Sequence, residues 1–153
     1  MKIYLGTDHA GFELKEKIKA YLRVQEHQVE DQGAFELNPA DDYPDFIKVV
    51  AKLVAADHNS RGIIFGGSGQ GEAMCANRYQ YVRATVFAGG SLDLVRLARE
   101  HNNGNILSLG ARFISFDEAK AAIDLWLKTP FSGEDRHVRR NVKLDNQTID
   151  GAI

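Results

Sequence analysis

The sequence predicts an α/β domain in which a five-stranded parallel sheet lies between two layers of helices. Short apolar runs of strand length alternate along the 153 residues with longer segments whose apolar residues recur at helical spacing. No repeat, low-complexity stretch or linker divides the chain. Strands that alternate with helices favour a parallel sheet covered on both faces. We therefore expect one Rossmann-like, three-layer αβα sandwich over residues 1–153, with a helical tail from about residue 136.

Each predicted strand is a short apolar run that ends in polar residues or glycine. The five strands are predicted at Ile3–Gly6, Val29–Asp31, Ile63–Phe65, Ala84–Phe87 and Ile106–Leu109. Helices are predicted where apolar side chains fall on one face, at Gly11–Val24, Asp45–Ala55, Ser91–Glu100 and Ser115–Lys128. Ser115 and Glu118 have the spacing of a capping box, which satisfies unpaired N–H groups at a helix start.

Composition indicates an ordinary globular domain and excludes several functions. Hydrophobic residues make up 44% of the chain and charged residues 26%. The net charge of −2 offers no field that would attract nucleic acid or an anionic membrane. No apolar run reaches membrane-spanning length, and the amino terminus turns polar too early for a signal peptide. We expect no nucleic-acid or membrane partner and a cytoplasmic location.

The most informative segment follows the third predicted strand. Four glycines lie within six residues at 66, 67, 69 and 71, and helix-forming residues come next. A strand, a glycine-rich turn and a helix start together direct backbone N–H groups toward one point and favour an anion. Glu72 stands directly after the last of these glycines. A carboxylate beside an oxyanion hole suits the removal of a proton next to a carbonyl group.

Two nucleotide-binding interpretations fail at this segment. A phosphate-binding P-loop carries lysine where this chain has Glu72, and a dinucleotide fingerprint requires glycine there. The strand that follows also lacks the acidic residue that would bind a ribose. A purely structural interpretation stays open, because glycines serve tight turns and an acid stabilises any helix start.

Other polar residues are predicted near the same edge of the sheet. Asp8 and His9 follow the first strand, and Arg112 follows the last. His101 ends the preceding helix and should lie at the opposite edge, which fits a role of His101 or Arg112 in a neighbouring subunit. Arg136 and Arg140 are four residues apart on one helix face, where two guanidinium groups could bind a phosphate.

Simpler roles are open for each of these residues. Asp8 and His9 could form a turn, and the arginines and His101 could complement helix ends. The single cysteine, Cys75, is predicted to be buried and inert, and it excludes an internal disulfide. The histidines lack metal-ligand spacing, so we predict no metal.

Taken together, the motifs resemble a family of sugar-phosphate isomerases. The family includes ribose-5-phosphate isomerase B and the isomerases of allose 6-phosphate and galactose 6-phosphate. The resemblance runs from residue 1 to about residue 145. It is carried by Thr7–Gly11, Asp42–Asp45, Gly66–Glu72, Ala76–Arg78, His101–Asn103, Leu109–Arg112 and Arg136–Arg140.

The resemblance implies roles for the candidate residues. Glu72 would be the base that moves a proton between C1 and C2, with Ser68 and the loop residues Gly67, Gly69, Gln70 and Gly71 forming the anion hole. His101 would open the sugar ring with help from Asp8, while His9 and Asn102 would hold hydroxyl groups. Arg112, Arg136 and Arg140 would hold the phosphate.

The resemblance also implies an assembly and a mechanistic branch. It implies a homodimer with shared active sites, with a tetramer as the alternative assembly, and no metal or organic cofactor. One branch of the family has a cysteine base at the position of Gly66, so this chain resembles the glutamate-base branch. The predicted function is the interconversion of ribose 5-phosphate and ribulose 5-phosphate through a cis-enediolate. A six-carbon sugar phosphate is the alternative substrate, and a non-catalytic phosphosugar-binding protein is the alternative class.

Overall fold

The sheet contains five parallel strands, as the sequence predicts. The computed structural model describes residues 1–146, so the last seven positions of the predicted domain lie outside the described residues. The strands are β1 (Lys2–Thr7), β2 (Gln28–Asp31), β3 (Arg61–Gly66), β4 (Ala84–Phe87) and β5 (Ile106–Gly110). They are ordered β2-β1-β3-β5-β4, and every neighbouring pair is parallel.

The helices follow the predicted segments with shifts of one or two residues at their ends. They are α1 (Phe12–Val24), α2 (Tyr43–Ala56), α3 (Gln70–Ala76), α4 (Asp93–Asn102), α5 (Phe116–Lys128) and α6 (Asp135–Asp145). The capping box at the start of α5 is present, with Ser115 and Glu118 exchanging both hydrogen bonds. A 3₁₀ helix at His9–Gly11, which the sequence pattern did not predict, precedes α1.

Alternation along the strands builds two hydrophobic cores, one on each face of the sheet. Successive side chains of a strand point to opposite faces. In β1, Ile3 and Leu5 pack with side chains of α1, α4 and α5, including the fully buried Trp126. Tyr4 faces the other way and packs with α2 and α3, for example against Val50. Both faces are therefore covered, which confirms the three-layer sandwich.

The strand order determines where the site lies. From β1 the chain crosses to β2 on one side, and it then returns to β3 on the other side of β1. In open parallel sheets, ligands bind beyond the carboxyl ends of the strands at such a reversal. The loops after β1 and β3 meet there. Within residues 1–146, no helix combines the length and the apolar character needed to cross a bilayer.

Candidate active site

A cleft of about 440 Å³ opens at the carboxyl edge of the sheet, between the loops that follow β1, β3 and β5. It is lined by Asp8, His9, Ala10, Tyr43, Gly67, Ser68, Gly71, Glu72, Arg112 and Phe113. Seven of these ten are residues for which the sequence predicts a site role. The glycine-rich loop and the Asp-His pair are therefore brought together.

The carboxylate of Glu72 is buried at the base of this cleft. Glu72 is the third residue of α3, and only 4% of its surface is exposed. Its carboxylate packs against the backbone of Gly66, the last residue of β3, in the space that a Cβ atom there would fill. Burial raises the pKa of Glu72, and the nearby carboxylate of Asp8 raises it further. A base with a raised pKa is better matched to removing a carbon-bound proton near neutral pH.

The glycine-rich loop is fixed by hydrogen bonds from the neighbouring strand. Gly69 adopts a left-handed conformation with φ of 78° at the start of α3, which favours glycine. Its carbonyl accepts a hydrogen bond from the Ser108 hydroxyl at 2.6 Å. Further along, the Ala111 N–H donates to the Gly66 carbonyl at 2.8 Å. These hydrogen bonds hold the loop in place beside the cleft, and an oxyanion hole requires donors that are positioned in advance.

The members of the loop differ in their access to the cleft. Gly67, Ser68 and Gly71 line it, whereas Gly69 is buried behind them and the side chain of Gln70 is exposed. The backbone N–H of Gln70 donates to the Ser68 hydroxyl at 3.3 Å. The geometry therefore makes Gly67, Ser68 and Gly71 the members of the predicted anion hole that face a ligand.

Asp8 is held by the turn that follows β1. The residue is 7% exposed, and its side chain caps the 3₁₀ helix, with Oδ1 accepting from the Ala10 N–H at 2.9 Å. Ligand atoms of Asp8, His9 and Asp41 lie within 4.8 Å of one another, a grouping that could hold a metal ion. Oδ1 of both aspartates already accepts hydrogen bonds. The absence of a metal requirement stays a prediction.

Arg112 provides a cationic group in the same cleft. Its guanidinium lies beside Gly67, 3.4–3.5 Å from the position of a Cβ atom there. Separately, the backbone N–H of Arg112 donates to the Gly67 carbonyl at 3.1 Å. Within residues 1–146 it has no carboxylate partner, so it can bind an anion. From the sequence, either His101 or Arg112 could serve a neighbouring subunit. The structure places Arg112 in the cleft of its own chain.

His101 and Asn102 lie at the opposite edge of the sheet. Helix α4 runs back along the sheet and ends with these residues, close to where β4 and β5 begin. The His101 ring stacks on the ring of His137 in α6, with centroids 4.2 Å apart. Asn102 lines a second cavity of about 640 Å³ with residues 77–85. Neither residue lines the cleft that holds Glu72.

Helix α6 carries the remaining predicted phosphate ligands. Arg136 and Arg140 are both exposed and lie one turn apart, as predicted. Arg136 contacts the carboxylate of Glu134 at 2.8 Å. Between them in the sequence, His137 is buried, which lowers its pKa, and the neighbouring His101 lowers it further. The predicted site residues thus form two groups within one chain, and Glu72 and Arg112 belong to the first.

Comparison with known proteins identifies the family. The family model for Ribose/Galactose Isomerase matches residues 3–144. The chain belongs to this isomerase family. It is 44% identical to ribose-5-phosphate isomerase B of Mycolicibacterium paratuberculosis over 140 residues, which cover 92% of this chain and 87% of the relative.

Solved structures of the isomerase family share the fold. The crystal structure of ribose-5-phosphate isomerase B from Mycoplasma genitalium with bound ribulose 5-phosphate gives a TM-score of 0.89 at 36% identity, covering 94% of this chain and 93% of that one. The ribose 5-phosphate isomerase structure from Thermotoga maritima gives a TM-score of 0.89 at 42% identity. The match covers 95% of this chain and 98% of that one.

Four residues at the cleft of this isomerase-family chain were not among the predicted site residues: Ala10, Tyr43 and Phe113, which line it, and Asp41, which contacts His9. Tyr43 lies over Gly71, with ring and hydroxyl atoms 2.9 Å from the position of a Cβ atom on that glycine. Phe113 lines the cleft next to Arg112, and Asp41 contacts His9. The only sequence signal for Tyr43 was its place in the segment Asp42–Asp45. Phe113 and Asp41 had no signal except that they are next to Arg112 and to that segment, respectively.

Proposed function

We propose that this chain interconverts ribose 5-phosphate and ribulose 5-phosphate. The observation that carries the proposal is the buried carboxylate of Glu72. It faces a cleft shared with the hydrogen-bonded glycine-rich loop and with the guanidinium of Arg112, which has no carboxylate partner within residues 1–146. A binding protein would have no use for a buried base with a raised pKa. The relatives named ribose-5-phosphate isomerase B, at up to 44% identity, support the same reaction.

The proposed chemistry is a proton transfer between neighbouring carbons. Glu72 removes the proton from C2 of the open-chain aldose, and the C2 electron pair forms a double bond to C1 as the carbonyl oxygen becomes an oxyanion. The Ser68 hydroxyl and the backbone N–H groups of Gly67 and Gly71, three residues that line the cleft, stabilise the resulting cis-enediolate. The proton of the C2 hydroxyl passes to the C1 oxyanion, which becomes a hydroxyl group. The protonated Glu72 then returns its proton to C1 as the C2 oxyanion becomes the ketose carbonyl.

The phosphate and the sugar ring require the second group of residues. Arg112 supplies one phosphate ligand from the same chain as Glu72. In this proposal, His101, Asn102, Arg136 and Arg140 come from a partner subunit, because in their own chain they lie away from the Glu72 cleft. His101 and Asp8 then open the furanose ring before the proton transfer. A homodimer with shared sites is the smallest assembly that completes the site, and a tetramer of two such dimers is compatible with it.

The proposed reaction needs no redox or metal cofactor, because the hydrogen moves as a proton and the charge is held by N–H groups and arginines. A chelator should therefore leave turnover unchanged. Membership in a family of metabolic isomerases supports a cytoplasmic location.

The deciding experiment measures steady-state rates on ribose 5-phosphate, allose 6-phosphate and galactose 6-phosphate side by side. We expect the highest kcat/KM with ribose 5-phosphate. A higher value with either six-carbon substrate would reassign the substrate within the family. Binding of all three sugar phosphates without turnover would favour a phosphosugar-binding protein.

A further inference from the structure

Asp41 holds His9 by two contacts that meet at one carboxylate oxygen. Oδ1 of Asp41 accepts a hydrogen bond from the backbone N–H of His9 at 3.0 Å, and it lies 2.7 Å from Nδ1 of the His9 ring. The Asp41 side chain is 9% exposed, whereas 30% of the His9 side chain remains exposed beside the cleft. The two residues are 32 positions apart, so the contact depends on tertiary structure.

The segment that carries Asp41 is anchored before it reaches His9. Residues 32–42 connect β2 to α2. Near the start of this connection, the Ala34 N–H donates to the Thr7 carbonyl at 2.8 Å. The fully buried ammonium of Lys15 donates to the Ala34 carbonyl at 2.6 Å. Asp41 therefore contacts His9 from a segment that is hydrogen-bonded to the last residue of β1.

The contact bears on which ring nitrogen of His9 carries a proton. An ionised carboxylate offers only acceptors, so Nδ1 must be the donor in its contact with Asp41. Nε2 of a neutral ring is then a free acceptor. Among the described residues, Oδ2 of Asp41 is buried without a hydrogen-bond partner. Every hydrogen bond found for this carboxylate thus goes to His9.

We infer that Asp41 is a positioning residue that fixes His9 as the Nδ1-protonated tautomer. In this form Nε2 is presented to the cleft as a hydrogen-bond acceptor for a hydroxyl group of the substrate. The identity of that hydroxyl rests on the proposed function, since it belongs to the sugar phosphate. The tautomer of His9 does not depend on turnover, so it is measurable in the protein alone.

The first experiment reads the tautomer by nuclear magnetic resonance of the ¹⁵N-histidine-labelled protein. The signals of His9 are assigned by their loss in His9→Gln. We expect Nδ1 of His9 to show the ¹⁵N chemical shift of a protonated ring nitrogen, and Nε2 the chemical shift of an unprotonated one. Asp41→Asn should keep this pattern because its amide oxygen still accepts, and Asp41→Ala should lose it. A wild-type protein with the proton on Nε2, or averaged between both nitrogens, would overturn the inference.

The second experiment separates a role through the His9 ring from a role in folding. Asp41→Ala should lower kcat/KM by roughly tenfold to a hundredfold, as expected for loss of a charge-assisted hydrogen bond. In a His9→Ala background the same change should cost no more than about twofold, because no ring remains to be positioned. The backbone contact of residue 9 survives in that background. Equal losses in both backgrounds would therefore mean that Asp41 only anchors its loop, and would overturn the inference.

A matched control is available in the same loop. Glu36 is exposed and lies in the same connecting segment, so Glu36→Ala should leave both the spectrum and kcat/KM unchanged. If Asp41→Ala does not fold, Asp41→Asn replaces it in both backgrounds. We expect Asp41→Asn to retain activity, and a loss of kcat/KM beyond tenfold would contradict the inference. If the wild type turns over no sugar phosphate, the proposed function fails, while the tautomer measurement still decides the inference about Asp41.

Discussion

The carboxylate of Glu72 lies where a Cβ atom on residue 66 would be. The last residue of β3 and the third residue of α3 therefore compete for one space, and glycine at 66 is what admits the carboxylate. The resemblance described above includes a branch with a cysteine base at position 66. The overlap gives a steric reason why a base can stand at 66 or at 72, because a side chain at 66 would occupy the space that the Glu72 carboxylate fills here.

Gly66→Ala should remove most of the activity although residue 66 itself has no reacting group. The added methyl group displaces the Glu72 carboxylate from the cleft, so kcat should fall about as far as in Glu72→Gln. Overpacking at a buried site typically costs about 1–3 kcal/mol, so the free energy of unfolding should also fall. Both are measured by steady-state kinetics and denaturant unfolding.

The control for this prediction is the double variant Gly66→Ala with Glu72→Ala. Shortening residue 72 vacates the contested space, so the double variant should recover most of the stability lost in Gly66→Ala and none of the activity. Stability losses that simply add would show that the two side chains do not meet.

Glu72→Gln should lower kcat by roughly 10² to 10⁴, because the amide keeps the shape of the side chain and removes the proton acceptor. KM should change little. Since burial raises the pKa of Glu72, the acidic limb of the wild-type pH profile should lie above the ordinary glutamate range. A profile whose acidic limb lies at the ordinary glutamate pKa, or a Glu72→Gln variant with near-normal kcat, would contradict the assignment of the base.

The same raised pKa predicts how the stability of the protein varies with pH. The folded state holds the Glu72 proton more tightly than the unfolded state, so this group stabilises the fold at low pH and loses that contribution as pH rises through its folded-state pKa. Glu72→Gln removes the dependence. The variant should therefore gain stability relative to the wild type near neutral pH, and the gain should vanish below the ordinary glutamate pKa. Urea unfolding at several pH values measures the difference.

The sequence predicted the elements of the fold better than their arrangement. Local patterns were sufficient for the five strands, the long helices and the Ser115 capping box, because each depends on neighbouring residues. The insertion of β5 between β3 and β4 depends on contacts between distant segments and had no local signal. The same is true of the contact between Asp41 and His9 across 32 positions. The glycine-rich loop revealed the site, but the reason for glycine at 66 required the path of α3.

Subunit complementation should restore activity if the two groups of site residues come from different chains. Glu72→Gln and His101→Asn subunits are each expected to be inactive as homodimers. A mixed dimer would contain one site with both changes and one with neither, so random exchange should recover about a quarter of wild-type activity. Native mass spectrometry verifies the exchange. Mixed dimers without activity would place His101 in the site of its own chain.

Arg140→Ala should raise KM more than it lowers kcat, because the arginine would hold a group that does not react. Loss of one charge-assisted hydrogen bond corresponds to roughly 1.5–3 kcal/mol in kcat/KM. Arg96→Ala is the control, since Arg96 is partly exposed and pairs with Asp93 and Glu100 on α4. An effect of Arg140→Ala on kcat alone would argue against a phosphate contact.

If the second group of site residues comes from a partner subunit, as proposed, the separation of Glu72 from the stacked His101 and His137 rings makes turnover depend on the association of two chains. A dissociated chain would then hold Glu72 without the His101 ring that is proposed to open the sugar, so dissociation should abolish turnover while each chain stays folded. Specific activity should then depend on protein concentration, remaining constant when the enzyme is concentrated and falling on dilution below the dissociation constant of the dimer. The activity assay would thereby measure the affinity between two subunits.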